Sequence, residues 1–547
     1  MDRRHASRTP PLGPPKPNKP SRERIEAPVT FKAYLMCASA AFAGVLFGYD
    51  SGYISSVLGM NQFKQDYGHP VPASEPDDFP YNYYTWQKSL VVSILSAGTF
   101  VGALASGYLA DRIGRRTTII GPGCGVFVVG VIIQLATKHI VGLAVGRFVA
   151  GLGVGCVCAV NILYMSEVAP RKVRGAIVSA YQFAITIGIM MAACVGYATQ
   201  DGTTSAAYRI PIALQLLWAL ILGVALFSLP ESPRYWVKHN RLDKAARALA
   251  RVRGQSPHSS YIEDELAEIV ANCEYEQQTG AVSWKGCFTG GIRHSNSNIR
   301  KIFIGTALQM FQQWTGINFI FYYNVTFFQQ VGLSNPFLIS MVTTVVNVAS
   351  TPVAFYTIEK FGRRRILIFG AAAMCLCEFI IAIVGVAGGA HSHASNYVLI
   401  VFVCIYIFFA SSWGPAAWLG PHRRNLPTPL RPSGRRPPRP PTGSELPHRP
   451  HHPFLVDPDK GDLGVKVFFV WGSTCALSAA FAYLFIPETK GLTLEQVERM
   501  MEEVPAYTSR RWKPVDPFAG EGSGGAESPS PMEGVRPVKM EDSIEMR

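Results

Sequence analysis

From about residue 31 to residue 486 the chain alternates long apolar runs with short polar joints. Each run approaches or exceeds the roughly 20 mainly apolar residues that a helix needs to cross a bilayer. Six runs lie near 31–60, 89–110, 117–137, 140–164, 177–199 and 209–229, and five more near 300–330, 337–358, 366–388, 397–418 and 464–486. The pattern predicts eleven spans. Between the two groups, Pro230 to Asn298 is polar but holds two stretches, 241–254 and 261–270, whose apolar residues recur at three and four. They are read as short amphipathic helices that pack at the inner mouth or offer a regulatory surface.

Composition agrees with a chain that sits mostly in lipid: of 547 residues, 48% are apolar and 16% charged. The mean hydropathy of +0.16 averages these spans with polar ends. A net charge of +14 would suggest nucleic acid in a soluble protein, yet the basic residues cluster in every second loop. Arg112, Arg115 and Arg116, then Arg171, Lys172 and Arg174, then Lys360 with Arg363 to Arg365 mark those loops, and the N-terminus, as cytoplasmic. Nucleic acid is not an expected partner. No signal peptide is expected ahead of the first run, because Met1 to Arg24 is Pro- and Arg-rich. Nine of 11 Cys fall inside apolar runs, and the pairs Cys156/Cys158 and Cys375/Cys377 diverge by roughly 200° on a helix, so packing rather than metal or disulfide chemistry is expected. The His448 to His452 tract lies among prolines and is not read as a metal site, and Asn324-Val-Thr326 lies in an apolar run and is not read as glycosylated.

Two marks recur. Asp111-Arg-Ile-Gly-Arg-Arg116 returns as Glu359-Lys-Phe-Gly-Arg-Arg364 after 248 residues, and Pro230-Glu-Ser-Pro-Arg234 as Pro487-Glu-Thr-Lys-Gly491 after 257. Such a period points to two duplicated halves of about six helices, the plan by which transporters place a site between halves at mid-membrane. Gly146 to Gly155 superficially resembles a dinucleotide fingerprint, but no strand precedes it; close helix packing through Gly151 and Gly155 is the better reading. No phosphate-binding loop or metalloprotease motif is present, and no cofactor or enzyme activity is expected.

These residues resemble the sugar porter branch of the major facilitator superfamily. The resemblance rests on Asp111 to Arg116, Arg147 to Gly155, Glu167-Val-Ala-Pro-Arg-Lys-Val-Arg-Gly175, Pro230 to Arg234, Gln312-Gln-Trp-Thr-Gly-Ile-Asn318, Glu359 to Arg364 and Pro487 to Gly491, in family order over roughly residues 31–500. The N-terminal tail and Phe47 to Ile54 are similar to fungal hexose transporters. It implies an all-α polytopic membrane protein with the major facilitator fold, two six-helix lobes rocking around a monosaccharide, glucose or another hexose. A monomer in the plasma membrane with both termini cytoplasmic is implied. A non-transporting sugar sensor of the same fold is the rival, and a pentose, polyol or quinate-like substrate stays open.

A sugar hydroxyl taken out of water must regain its hydrogen bonds, and the amides within apolar spans supply neutral donors and acceptors. By resemblance Gln182, Gln312, Gln313, Asn318 and Asn347 bind the hexose, and Trp418 packs on its ring. Asp50 in the first span and Arg147 in the fourth are intramembrane ions, which are expensive unless paired or functional. A proton can compete with the arginine for the carboxylate, and proton-coupled sugar porters carry this pair, although facilitators can carry the acid too. The charged residues Asp111, Arg112, Arg115, Arg116, Glu167, Arg174, Glu231, Arg234, Glu359, Arg363, Arg364 and Glu488 are implied to form the cytoplasmic gates.

The expected division is a tail over 1–29, a first lobe over 30–229, a cytoplasmic helical loop over 230–298, a second lobe over 299–486 and a tail over 487–547. One segment does not fit. Residues 419–455 hold 11 Pro, 7 Arg and 4 His where the repeat demands a span, so helix 11 is missing. Similar transporters have about as many residues here, with a Glu-Ile-Phe-Pro turn and a Ser-Asn-Trp-Leu helix. One codon choice for Gly-Glu-Ile-Phe-Pro-Leu-Pro, read two bases late, yields Arg424 to Pro429, and one for Ser-Asn-Trp-Leu, read one base late, yields Pro441 to Ser444. Compensating frame errors are the expected origin, and the polypeptide as written is expected to be misfolded or inactive.

Overall fold

Hydrocarbon leaves backbone N–H and C=O groups no water to bond, so an apolar run must close its hydrogen bonds internally, and the runs do so as helices. The computed structural model describes residues 36, 38–70, 80–170, 174–278, 298–333, 335–388, 393–417 and 463–488, with isolated positions 500, 504, 509 and 512. Residues 419–455 and Trp418 lie outside the described residues, as do the N-terminal tail and nearly all of the C-terminal one.

Among the described residues, nine helices are long and apolar enough to cross a membrane. They belong to span 2 (Thr85–Ile113), span 3 (Arg115–Ala136), span 4 (Ile140–Val168), span 5 (Arg174–Thr199), span 6 (Ala206–Phe227), span 8 (Pro336–Phe361), span 9 (Arg363–Gly388), span 10 (His393–Ala417) and the last span (Val467–Phe485). The other two runs are helical but differ from a plain rod. Span 1 is described as Ala43–Gly59, and span 7 is broken into Asn298–Trp314 and Ile317–Gln330. Span 3 relaxes into a π-helical stretch, Ile119–Gly125, around Pro122, whose missing N–H cannot join the ladder. A two-residue ribbon pairs His69 with Asn82 antiparallel in the first lobe, at the end away from the arginine clusters.

Spans 2 and 4 cross at four glycines. A Cβ on Gly98 or Gly102 would lie 2.3 and 2.1 Å from the carbonyl oxygens of Phe148 and Leu152, and one on Gly151 or Gly155 would lie 2.4 and 2.1 Å from those of Leu95 and Thr99. Gly151 and Gly155 therefore serve backbone-to-backbone packing. The lobes meet at the ends of spans 1 and 7 far from the arginine clusters. There Val325 N–H donates to Ser55 Oγ at 3.3 Å, and Gln329 Nε2 to the Gly59 carbonyl at 3.0 Å. The cavity between the lobes is thus closed toward that side.

After span 6 come three short helices, Pro233–Lys238, Leu242–Arg253 and Ser260–Gln278, with small cores of their own around Val237, Ala245 and Cys273 and around Leu249, Ala250 and Ile262. Arg253 ties them to the lobe. It pairs with Glu265 at 2.6 Å and donates to the Val168 carbonyl at the end of span 4 at 2.8 Å.

Candidate sugar site and gates

Span 7 breaks where Gly316 takes φ +81°, a conformation that disfavours side chains, and a Cβ there would sit 2.6 Å from the Trp471 ring. A break inside lipid frees carbonyls that need donors. Thr474 Oγ1 donates to the Trp314 carbonyl at 2.7 Å, and Tyr406 Oη to the Thr315 carbonyl at 2.6 Å. With its backbone satisfied, the break can carry Gln312 on one flank and Asn318 on the other into the space between the lobes.

That space is a cavity of about 170 Å³ lined from both lobes, by Ser51 and Gln182 on one side and by Gln312, Asn318, Asn347 and Trp413 on the other. Four of the expected amides, Gln182, Gln312, Asn318 and Asn347, thus share one wall-to-wall site. Gln313 stands one layer back and accepts a hydrogen bond from Asn318 Nδ2, so it orients that amide. Asn347 Oδ1 is held by Ser411 Oγ at 2.6 Å. Trp413 was not anticipated from sequence; its indole donates to the Leu367 carbonyl at 3.0 Å, which fixes an aromatic face beside the amides. A wider cleft of about 390 Å³, lined by Asp66, Lys138 and Arg209 among others, belongs to the first lobe alone and cannot be a site around which two lobes move.

Asp50 and Arg147 are both fully buried, yet they form no ion pair within 4 Å. Arg147 Nη1 donates instead to Tyr53 Oη at 2.5 Å, Tyr53 donates to Gln134 Oε1 at 2.7 Å, and the guanidinium carbon lies 5.4 Å from the centroid of the Tyr53 ring. Both Asp50 oxygens are without a hydrogen-bond partner. A buried carboxylate left in this way is poised to take a proton or to capture the arginine.

On the arginine-rich face the repeated motifs meet each other. Glu231 accepts the backbone N–H groups of Arg115 and Arg116, the Arg115 guanidinium binds Glu167 at 3.1 Å and Asp111 at 3.3 Å, and Ser232 Oγ donates to Glu167 at 2.5 Å. Burial, with Arg115 alongside, holds the Lys238 ammonium below the usual lysine range, although Asp111 lies 4.0 Å away. In the second lobe Glu488 accepts the N–H of Arg363 at 3.1 Å, and Arg364 donates to the Tyr483 carbonyl at 2.8 Å just as Arg116 does to Phe227 at 3.1 Å. Arg112 bonds Tyr108, Arg234 is half-buried beside Glu167, and Glu359 is exposed. Arg174 opens span 5, its side chain outside the described residues. Among the described residues no carboxylate pairs with the Arg363 guanidinium as Glu167 does with Arg115.

A family model described as "Sugar (and other) transporter" matches residues 36–422 and 453–501 and leaves 423–452 unmatched. The chain is 40% identical to a probable glucose transporter, rco-3, of Neurospora crassa, over 87% of this chain and 80% of the relative. It is 37% identical to the high glucose sensor RGT2 of Saccharomyces cerevisiae, over 86% of this chain but 61% of the sensor's own length. Among solved structures, the proton:xylose symporter XylE of E. coli, bound to 6-bromo-6-deoxy-D-glucose, superposes with a TM-score of 0.66 at 24% identity, covering 86% of this chain and 99% of that one.

Proposed function

We propose a function from one premise: the chain belongs to the sugar transporter family of the major facilitator superfamily, and is a multi-pass membrane transporter rather than an enzyme. Its cargo is a hexose, with glucose the leading substrate. The observation that carries this reading is the cavity that both lobes line with Gln182, Gln312, Asn318 and Asn347 beside the Trp413 ring. Neutral amides replace water on the sugar hydroxyls, the indole covers a ring face, and among the described residues no fixed charge in the lining favours an ionic substrate. Rocking of the lobes then exchanges the closure between spans 1 and 7 for one between the arginine-rich ends, exposing the site to each side in turn.

Transport is coupled to protons through Asp50. With the proton on, the acid is neutral and Arg147 is held by Tyr53; with the proton off, the carboxylate draws Arg147 away from span 1's tyrosine, so the two protonation states favour different packings of spans 1 and 4. The basic loops support cytoplasmic termini, and the protein acts as a monomer in the plasma membrane. Likeness to the glucose sensor keeps a second reading in view, a receptor that binds hexose without carrying it. Counterflow uptake of a labelled sugar panel in proteoliposomes, by the chain carrying the segment its transcript encodes, tests the first reading: uptake of hexoses supports it, and tight binding without uptake selects the sensor.

The unmatched segment 423–452 supports reading residues 419–455 as out-of-frame sequence that stands in place of helix 11. The functional transporter is the chain with that helix restored.

A further inference from the structure

Span 9 carries a second intramembrane acid, in the lobe opposite Asp50. Glu378 is 0% exposed, fifteen residues into a helix that starts at the arginine-rich face, which puts it about 22 Å deep and near mid-membrane. Neither carboxyl oxygen is engaged in a well-formed hydrogen bond, although the Tyr406 hydroxyl and the Cys475 thiol stand near enough to act on it. The titratable groups that face it are Tyr406 from span 10, Cys475 from the last span, and Cys375 and Cys377 from its own helix; among the described residues no cation does. An ionised carboxylate so placed would be far more costly than one that holds a proton.

The acid lies directly behind the sugar cavity. Met374, one turn earlier on span 9, lines that cavity, and so does Thr315 at the break in span 7. Tyr406 stands between: it faces Glu378 and commits its own hydrogen to the Thr315 carbonyl at 2.6 Å. A protonated Glu378 can give its own hydrogen to the Tyr406 oxygen or to the Cys475 sulfur, and as a neutral group it is a weak rival for the tyrosine's hydrogen, which leaves that clasp in place. An ionised Glu378 would be a stronger acceptor than a peptide carbonyl and would compete for the tyrosine's hydrogen. Thr315 would then lose its donor, and the break that presents Gln312 and Asn318 would loosen.

We propose that Glu378 is a proton-binding site of the second lobe, coupled through Tyr406 to the break in span 7, so that its protonated form sets the amides for sugar. The coupling rests on the sugar-transport reading, whereas the protonation itself does not.

The test uses the purified full chain with the segment its transcript encodes, in a D50N background so that Asp50 contributes no titration. Binding of labelled D-glucose, measured by equilibrium dialysis, should weaken about five- to tenfold, roughly one net hydrogen bond, as pH rises from about 5 to about 9. D50N/E378Q, whose amide donates to Tyr406 at every pH, should stay at the tight value, and D50N/Y406F should stay at the weak one. A D50N/E378Q profile that tracks D50N, or a D50N affinity that does not move with pH, overturns the coupling. Separately, infrared difference spectra of the otherwise unsubstituted chain against E378Q should show a protonated carboxyl stretch lost in the variant. Its absence overturns the proton site whether or not glucose binds, while failure of every sugar to bind the unsubstituted chain sinks the transport reading instead.

Discussion

Glu231 accepts the backbone N–H of Arg115 at 2.8 Å, and the same relationship recurs in the second lobe, where Glu488 accepts that of Arg363 at 3.1 Å. The two repeated motifs are thus two halves of one device, an acid after the sixth span of a lobe that caps the first turn of its third. An anion at a helix N-terminus satisfies free N–H groups and meets the positive end of the dipole. Glu231 also accepts the Arg116 N–H at 3.1 Å. Removing either acid should be costly: Glu231→Ala and Glu488→Ala are each expected to lower stability by about 1–2 kcal/mol. Thermal melting of the detergent-solubilised variants measures both, and an unchanged melting temperature in either would contradict the capping account.

The break in span 7 depends on a residue without a side chain. Gly316→Ala combines a left-handed φ with a Cβ 2.6 Å from Trp471, so it should destabilise by more than the roughly 1 kcal/mol of the backbone conformation alone and abolish sugar binding. Trp471→Ala in the same chain should recover part of the binding. Full binding by Gly316→Ala alone would show that the break is not required.

Gln312 lines the cavity and Gln313 orients Asn318. Gln312→Ala and Gln313→Ala should each fold and reach the membrane while weakening hexose binding by roughly 1–3 kcal/mol, the penalty for hydroxyls or an amide left unpaired when buried. Because Gln313 acts through Asn318, the two losses measured in Gln313→Ala/Asn318→Ala should not add. Unchanged uptake kinetics in correctly localised single variants would remove these residues from the site.

Asp50→Asn should abolish accumulation against a gradient while retaining exchange, since the neutral amide mimics the protonated acid but cannot release a proton. Wild-type uptake should collapse on adding a protonophore. Uptake that ignores the protonophore would assign facilitated diffusion.

Sequencing the transcript should return a reading frame in which a Glu falls near Arg424 and an apolar span fills the rest of 419–455. In the first lobe Glu167 binds Arg115 at 3.1 Å, and the restored acid would supply the missing counterpart for Arg363. A clean transcript encoding the Arg/Pro segment, together with active uptake from that clone, would contradict the frame-error account.

Spans, family and duplicated motifs were legible in the chain itself. The cost of exposing peptide groups or charges to hydrocarbon acts on every residue of a run, so length, apolarity and the placing of arginines carry the answer locally. Asp50 and Arg147 could likewise be singled out because an ion in an apolar run is conspicuous, and Glu378 carries the same signal. What only the tertiary structure decided is who meets whom. That Gln312 faces the cavity while Gln313 turns to Asn318, that Trp413 supplies an aromatic wall, and that Tyr406 stands between Glu378 and the Thr315 carbonyl depend on helix rotation and on the positive φ at Gly316. Those are set by packing among residues up to 160 positions apart, as between Thr474 and Trp314. No local pattern encodes the clasps of Thr474 and Tyr406, because each reaches a backbone carbonyl that is free only after span 7 has broken.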